Sequence, residues 1–152
     1  MTFRNMEPGD RDAMQSFYDD MGLASKTFFN LSGYNEKRTM DFFSEEGKPN
    51  HEFWVMTEGD QIIGLSFIWD IGSMIPWFGI AVRDEWHGKH VGTAMLTNVL
   101  EILRERGCGG LLLTTAQNNY KGQGLYEKCG FERLGVHRGG EYLYIHRFKK
   151  DS

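Results

Sequence analysis

The residues best suited to chemistry lie in one short run, His87-Gly88-Lys89-His90-Val91-Gly92-Thr93. Gly88 and Gly92 permit a close approach of the backbone to a ligand, and Lys89 adds a cation. A helical pattern starts near Val91. It places Val91, Met95, Val99, Ile102 and Leu103 on one side and Glu101, Arg104, Glu105 and Arg106 on the other. A helix start leaves about four backbone N–H groups without intrahelical partners and carries roughly half a positive charge. Glycines in front of it let the chain close round a phosphate group. The plainer alternative is a corner between strand and helix, with Gly92 present for tight packing. Short glycine patterns also recur by chance.

Met74 to Val82 precedes this loop. It is apolar, contains β-branched and aromatic residues, and has the length of a buried strand. The segment as a whole reads as strand, glycine-containing loop from Arg83 to Gly92, and long helix.

This arrangement resembles the acyl-CoA pyrophosphate loop of the GNAT superfamily of N-acetyltransferases. In that family Gln/Arg-x-x-Gly-x-Gly/Ala follows a strand with a hydrophobic-Ala-Val ending. Here Ile80-Ala81-Val82 closes the strand, His87 stands at the Gln/Arg position, and His90 stands at the first Gly position. A Cβ at position 90 would crowd the backbone's approach to phosphate. Both histidines would add positive charge when protonated. A second stretch, Asn119-Tyr120-Lys121-Gly122-Gln123-Gly124-Leu125-Tyr126-Glu127-Lys128-Cys129-Gly130-Phe131, is similar to the family's Asn-x-x-Ala-x-x-Leu-Tyr-x-x-x-Gly-Phe, with Gly122 at the Ala position. The two motifs stand in the family's order. The resemblance runs from about Glu52 to His146, and the first fifty residues match only in general layout.

The resemblance implies a mixed α/β (α+β) fold: a central, twisted, mostly antiparallel sheet with two splayed strands and helices on both faces. It implies acetyl-CoA as co-substrate and no metal. Its pantetheine arm would lie in the splay, against the main chain of Ile80, Ala81 and Val82. His87, Gly88, Lys89, His90, Val91, Gly92 and Thr93 would sit at the pyrophosphate. Asn119 and Gly122 would approach from the other side. Tyr126, at the position of the family's acid tyrosine, would contact the cofactor and protonate the departing sulfur. Its alternative is a buried tyrosine packed behind the Gly130-Phe131 turn. The implied activity is acetyl transfer to a primary amine by direct attack. The aromatic stretch from Leu23 to Phe43 and the loops near Trp69 and Trp77 are where the acceptor would be written, and they favour a small cationic or aromatic amine. A protein or peptide acceptor, a non-catalytic acyl-CoA-binding regulatory module and an interaction domain without cofactor are the other readings.

Amine attack needs a base, because an ammonium of pKa near 10.4 is neutral only about once in several thousand molecules at neutral pH. Many relatives supply a Glu from the strand matching Met74 to Val82, and this chain has no acidic residue there. The remaining candidates are Asp70 at the preceding turn and Glu85 in the loop, acting directly or through water. Both also read as solvated turn residues. His137, near the last hairpin, reads as a partly exposed strand residue.

Composition sets the outer bounds. A chain of 152 residues with 40% hydrophobic and 25% charged residues suits a single globular domain over residues 1–152. A net charge of −4 argues against a general nucleic-acid binder. No apolar run has the length of a membrane span and no signal-peptide pattern opens the chain, so a cytoplasmic protein is expected. Cys108 and Cys129 lack metal-ligand spacing and read as core thiols.

The remaining elements frame the site. Thr2 to Met6 suits an edge strand, and Pro8-Gly9-Asp10 starts a helix whose apolar face is Ala13, Phe17 and Met21, with Gly22 as its stop. Leu23 to Tyr34 has no clean period. A second helix is expected from Asn35 to about Ser44, and a loop over Gly47-Lys48-Pro49-Asn50. Strands over Phe53 to Thr57 and Ile62 to Trp69 flank the turn Glu58-Gly59-Asp60-Gln61, and Gly64 and Gly79 read as bulges. Leu111 to Thr115 suits a central strand, and Asn119 to Cys129 a helix. Phe131 to His137 and Tyr142 to Phe148 pair across Gly139-Gly140. The alternating face Tyr142, Tyr144 and Phe148 either packs in the core or supports a homodimer through an exposed strand.

Overall fold

A computed structural model describes residues 1–30, 35–44 and 50–149. Seven strands form one sheet: β1 (Thr2–Asn5), β2 (His51–Glu58), β3 (Gln61–Trp69), β4 (Trp77–Val82), β5 (Gly110–Thr115), β6 (Glu132–Val136) and β7 (Tyr142–Arg147). Their order across the sheet is β1-β2-β3-β4-β5-β7-β6. All neighbours are antiparallel except β4 and β5, which run parallel and share the single pair Trp77–Leu112. The described helices are α1 (Arg11–Asp19), α2 (Leu23–Asn30), α3 (Asn35–Met40), α4 (Val91–Glu105) and α5 (Tyr120–Lys128). The mixed class, the mostly antiparallel sheet and the splayed central pair match the sequence expectation.

Period-two alternation in the strands divides the core between the faces. Trp54, Ile68, Phe78, Leu111 and Leu113 pack with Leu96, Val99 and Leu103 of α4 and Tyr126 of α5. Their strand neighbours Phe53, Val55, Leu65 and Phe67 pack with Met14, Phe17 and Tyr18 of α1 and Phe29 of α2. Each buried side chain of this size is worth roughly 1.5–3 kcal/mol. Helices on both faces are therefore held by the sheet rather than by propensity alone. At the sheet's edge, both guanidinium nitrogens of Arg4 donate to the Asp10 carboxylate at 2.8 Å, fixing β1 to the start of α1.

Several boundaries differ from the sequence reading, each for a visible reason. β4 begins at Trp77 rather than Met74, because Pro76 has no N–H to add to a ladder. The second expected helix divides into α3 and a short 3-10 turn, Asp41–Phe43. The stretch that shows no period contains α2, whose start is capped by a residue sixty positions away. A β-bulge does lie beside Gly64, where Met56 pairs with Gly64 and Thr57 with Ile62. Gly79 marks none: a Cβ there would stand 2.5 Å from the Phe67 ring, which lies across it from the paired position in β3. The expected loop residues Gly47, Lys48 and Pro49 fall outside the described residues. β7 lies between β5 and β6, and Tyr144 is fully buried, so the alternating face of this strand belongs to the core.

Candidate active site

Arg83 donates its amide to the Ile63 carbonyl at 2.8 Å, which fixes the hydrogen-bonding alternation of β4. Backbone groups of Trp77, Gly79 and Ala81 face β3, and those of Phe78, Ile80 and Val82 face β5. At the closed end of the splay, the Leu112 amide donates to the Pro76 carbonyl at 2.9 Å. Beyond Trp77 there is no ladder to β5, so the amide and carbonyl of Ile80 open into the gap. Such groups need partners, and an extended amide-bearing chain would supply them as a strand does. The Val82 carbonyl already has one: His87 Nε2 stands 2.8 Å away, as donor.

The gap leads to the start of α4. Gly88 and His90 both have positive φ, 76° and 65°, and fold the chain back beneath the helix end. His90 is the N-cap residue and makes no side-chain cap, and the first intrahelical bond runs from the Ala94 amide to the His90 carbonyl at 3.0 Å. The amides of Val91, Gly92 and Thr93 thus lie at an uncapped helix end, the arrangement that suits an anion. Val91 itself is buried against Met56, Ile63 and Met95. Gly92 serves packing: a Cβ there would stand 3.2 Å from Leu125 of α5. Lys89 rests its ammonium over the Trp86 ring, 5.0 Å from the centroid, at the rim of the loop.

Two residues that sequence reasoning passed over hold this loop in place. Arg83 is 2% exposed, pairs with Asp20, donates from Nε to the Ile62 carbonyl at 3.0 Å, and lies over the Phe17 ring. Asp84 accepts from the Gly22 amide at 2.9 Å and from the Ser25 hydroxyl at 2.7 Å, capping α2. Local sequence around Leu23 carries no sign of this cap.

Across the gap, Asn119 caps α5. Its Oδ1 accepts from the Gly122 amide at 3.2 Å and its Nδ2 donates to the Thr115 hydroxyl at 3.1 Å. A Cβ at position 122 would stand 2.6 Å from Asn119 Nδ2, so an alanine there would require the Asn119 side chain to shift. Tyr126 is 8% exposed, with Phe131 and Tyr144 rings about it at 6.0 and 6.1 Å. Burial first, then the nearby Glu141 and Tyr144, push its pKa up, so the hydroxyl keeps its proton throughout the neutral range.

On the α1 and α3 side of the sheet a cleft of about 840 Å³ opens at the same splay. Arg38, Trp69, Trp77, Thr114, His137 and Glu141 line it. Trp69 and Trp77 stack across the strand pair with centroids 6.2 Å apart, and His137 lies 5.7 Å beyond Trp77. Burial raises the Glu141 carboxyl pKa, with the His137 charge and the Thr114 hydroxyl acting in the opposite sense. Of the bases considered from sequence, Asp70 is exposed in the turn after β3 with φ 63°, and Glu85 is exposed in the 3-10 turn Asp84–Trp86. Neither lines this cleft. Glu141 does, and its only sequence signal is a position directly after Gly139-Gly140.

The sequence matches the model of the Acetyltransferase (GNAT) family over residues 13–131. The chain belongs to this family. It is accordingly an acetyl-CoA-dependent N-acetyltransferase. It is 25% identical, over 109 residues, to a Bacillus subtilis (strain 168) protein assigned as an alanine N-acetyltransferase of ribosomal protein bS18, covering 70% of this chain and 72% of that one. In four further relatives the matched region covers less than half of the relative's length. Among solved structures, the GNAT domain of S. lividans PAT superimposes with a TM-score of 0.83 at 18% identity, covering 96% of this chain and 89% of that one. The PaiA N-acetyltransferase of Thermoplasma acidophilum, solved in complex with coenzyme A, gives 0.76 at 15% identity, covering 97% and 98%. No described helix is long and apolar enough to cross a membrane.

Proposed function

We propose that this acetyltransferase modifies the amine of a small molecule, with the cofactor held along β4 and the acceptor in the cleft beside Trp69 and Trp77. The observation that carries this reading is the open main-chain edge at Ile80, continuous with the uncapped start of α4. The main chain of Ile80, Ala81 and Val82 would hold the pantetheine arm. The amides of Val91, Gly92 and Thr93, with Gly88, Lys89 and His90 around them, would hold the diphosphate. His87 would release the Val82 carbonyl as the arm arrives. Acetyl-CoA supplies a thioester whose carbonyl carbon the amine attacks, forming a C–N bond as the C–S bond breaks.

The chain's own residues supply the proton handling. Glu141, half-buried at the cleft wall, takes a proton from the ammonium; its raised pKa brings it nearer to that of the group it deprotonates. Tyr126 donates a hydrogen bond to the leaving sulfur. A thiolate of ordinary pKa near 8.5 is a weaker base than a buried tyrosinate, so Tyr126 acts more by stabilising the thiolate than by giving up its proton fully. Asp70 and Glu85, on this reading, are surface carboxylates away from the chemistry. The cleft volume lies in the range of small-ligand sites and supports a small acceptor over a folded protein surface. The Bacillus subtilis relative favours a second reading, a peptide N-terminal amine.

Thiol release from acetyl-CoA on addition of small amines, against a peptide panel, tests the choice. Turnover with amines is expected to exceed that with peptides. Peptide-only turnover would replace the acceptor class. Thermal stabilisation by coenzyme A with no amine-dependent thiol release would leave a binding module instead.

A further inference from the structure

Resting on the acceptor cleft of that reading, we infer that the acceptor is an amine carrying a carboxylate beyond an apolar spacer, with Arg38 as the residue that recognises the carboxylate. Arg38 lines the cleft together with Glu141 and His137. Its guanidinium lies over the Trp69 ring, 4.8 Å from the centroid. Held over the ring, the guanidinium keeps N–H groups of the kind that take a carboxylate by two parallel bonds. Among the described residues, it has no carboxylate partner. Burial lowers its pKa. Arg4, Arg83, Arg106 and Arg147, by contrast, each meet a carboxylate of the chain.

The wall of the cleft sets the rest of the ligand. From Arg38 the contacts run over Trp69 to Trp77 and then to His137, beside Glu141. A cation stands at one end and a proton acceptor at the other, and two indoles lie between them. An acceptor matched to this wall presents its anion at Arg38, lays an apolar or aromatic body on the indoles and delivers its nitrogen to Glu141. The inferred acceptor therefore carries its apolar part between the amine and the carboxylate, as aminoaryl and ω-amino carboxylates do.

Two isosteric probes test this: 4-(aminomethyl)benzoate and 4-(aminomethyl)benzamide, which differ in one charge. Their dissociation constants are measured on the whole chain by ligand-observed NMR titration, with coenzyme A present, and their acetylation is followed by thiol release. The benzoate is expected to bind about tenfold more tightly, the scale of a charge-assisted bond to a half-exposed cation. In Arg38→Gln the two probes are expected to bind alike, and Arg38→Lys should restore part of the difference. Equal affinities in the unaltered protein, or a preference that survives Arg38→Gln, would overturn the inference. The titration reads Arg38 whether or not acetyl transfer occurs. Binding discrimination without thiol release would therefore sink the acceptor reading and keep the anion subsite. Thiol release with both probes at equal efficiency and affinity would do the reverse.

Discussion

The two ends of the splay between β4 and β5 are built by different means. The end that suits the cofactor comes from one continuous stretch, Pro76 to Thr93, and presents main-chain groups: the open edge at Ile80 and the amides that begin α4. The end that suits the acceptor comes from five separated segments and presents side chains, with Arg38, Trp69, Trp77, Thr114, His137 and Glu141 brought together by the sheet. A site made of backbone depends less on side-chain identity than a site made of side chains. On the proposed reading, the first would be a holder for the cofactor and the second a selector of the acceptor.

The sharpest division between them is expected at Tyr126, which on the proposed reading takes part in the chemistry. Tyr126→Phe should lower kcat by about 100-fold while acetyl-CoA affinity, read by calorimetry, stays as it was. Equal turnover in the two proteins would remove Tyr126 from the reaction.

A smaller, pH-dependent effect is expected at Glu141. The carboxylate must be ionised to accept a proton, and burial raises its pKa, so activity should climb with pH through a limb above the ordinary carboxylate range. Glu141→Gln should cut the amine kcat/KM by roughly tenfold or more at neutral pH and abolish that limb. A limb that persists assigns the base elsewhere. Stability has the opposite sign. A raised folded-state pKa favours the protonated form, so this contribution is present at low pH and lost as pH rises through the folded value. The Gln variant is therefore expected to melt no lower than the parent at neutral pH.

The smallest effect is expected at His90, whose φ of 65° is one that glycine adopts more readily. In His90→Gly, relief of a left-handed conformation worth about 1 kcal/mol is offset by a looser unfolded chain of about the same worth. Tm should hold within about 4 °C, while coenzyme A binds more tightly and the amine KM is unchanged. A shifted amine KM would blur the division between holder and selector.

The same division governs what could be read from the sequence. The proposed holder could be assembled from sequence because its parts are adjacent: the Ile80-Ala81-Val82 ending, Gly88 and the apolar spacing of α4 all lie within one reading window. The Asn119 to Phe131 motif pointed to Tyr126, which lies buried beside Phe131 and Tyr144. The selector was legible only in outline, through the aromatic stretch Leu23 to Phe43 and the loops near Trp69 and Trp77: nothing near Arg38 indicates that it meets Trp69, and nothing near Glu141 indicates Tyr126. Asp70 and Glu85 were drawn into the expectation because they lie close in sequence to the strand, yet both are exposed and outside the cleft. α2 was missed on the same grounds, its cap being Asp84 from the far side of the chain. The gap itself was foreseen by resemblance; that its closed end falls at Trp77 depends on sheet register, which no local pattern records.

Asp84 also settles the polarity of the neighbourhood. The starts of two helices approach this loop, and each would draw a negative group toward it. Asp84 answers the start of α2 through Gly22 and Ser25, and its Oδ1 also stands 3.8 Å from His87 Nε2. The start of α4 keeps its first amides without a side-chain cap. On the proposed reading, a diphosphate would meet that one uncapped pole, the carboxylate beside it being already engaged by α2.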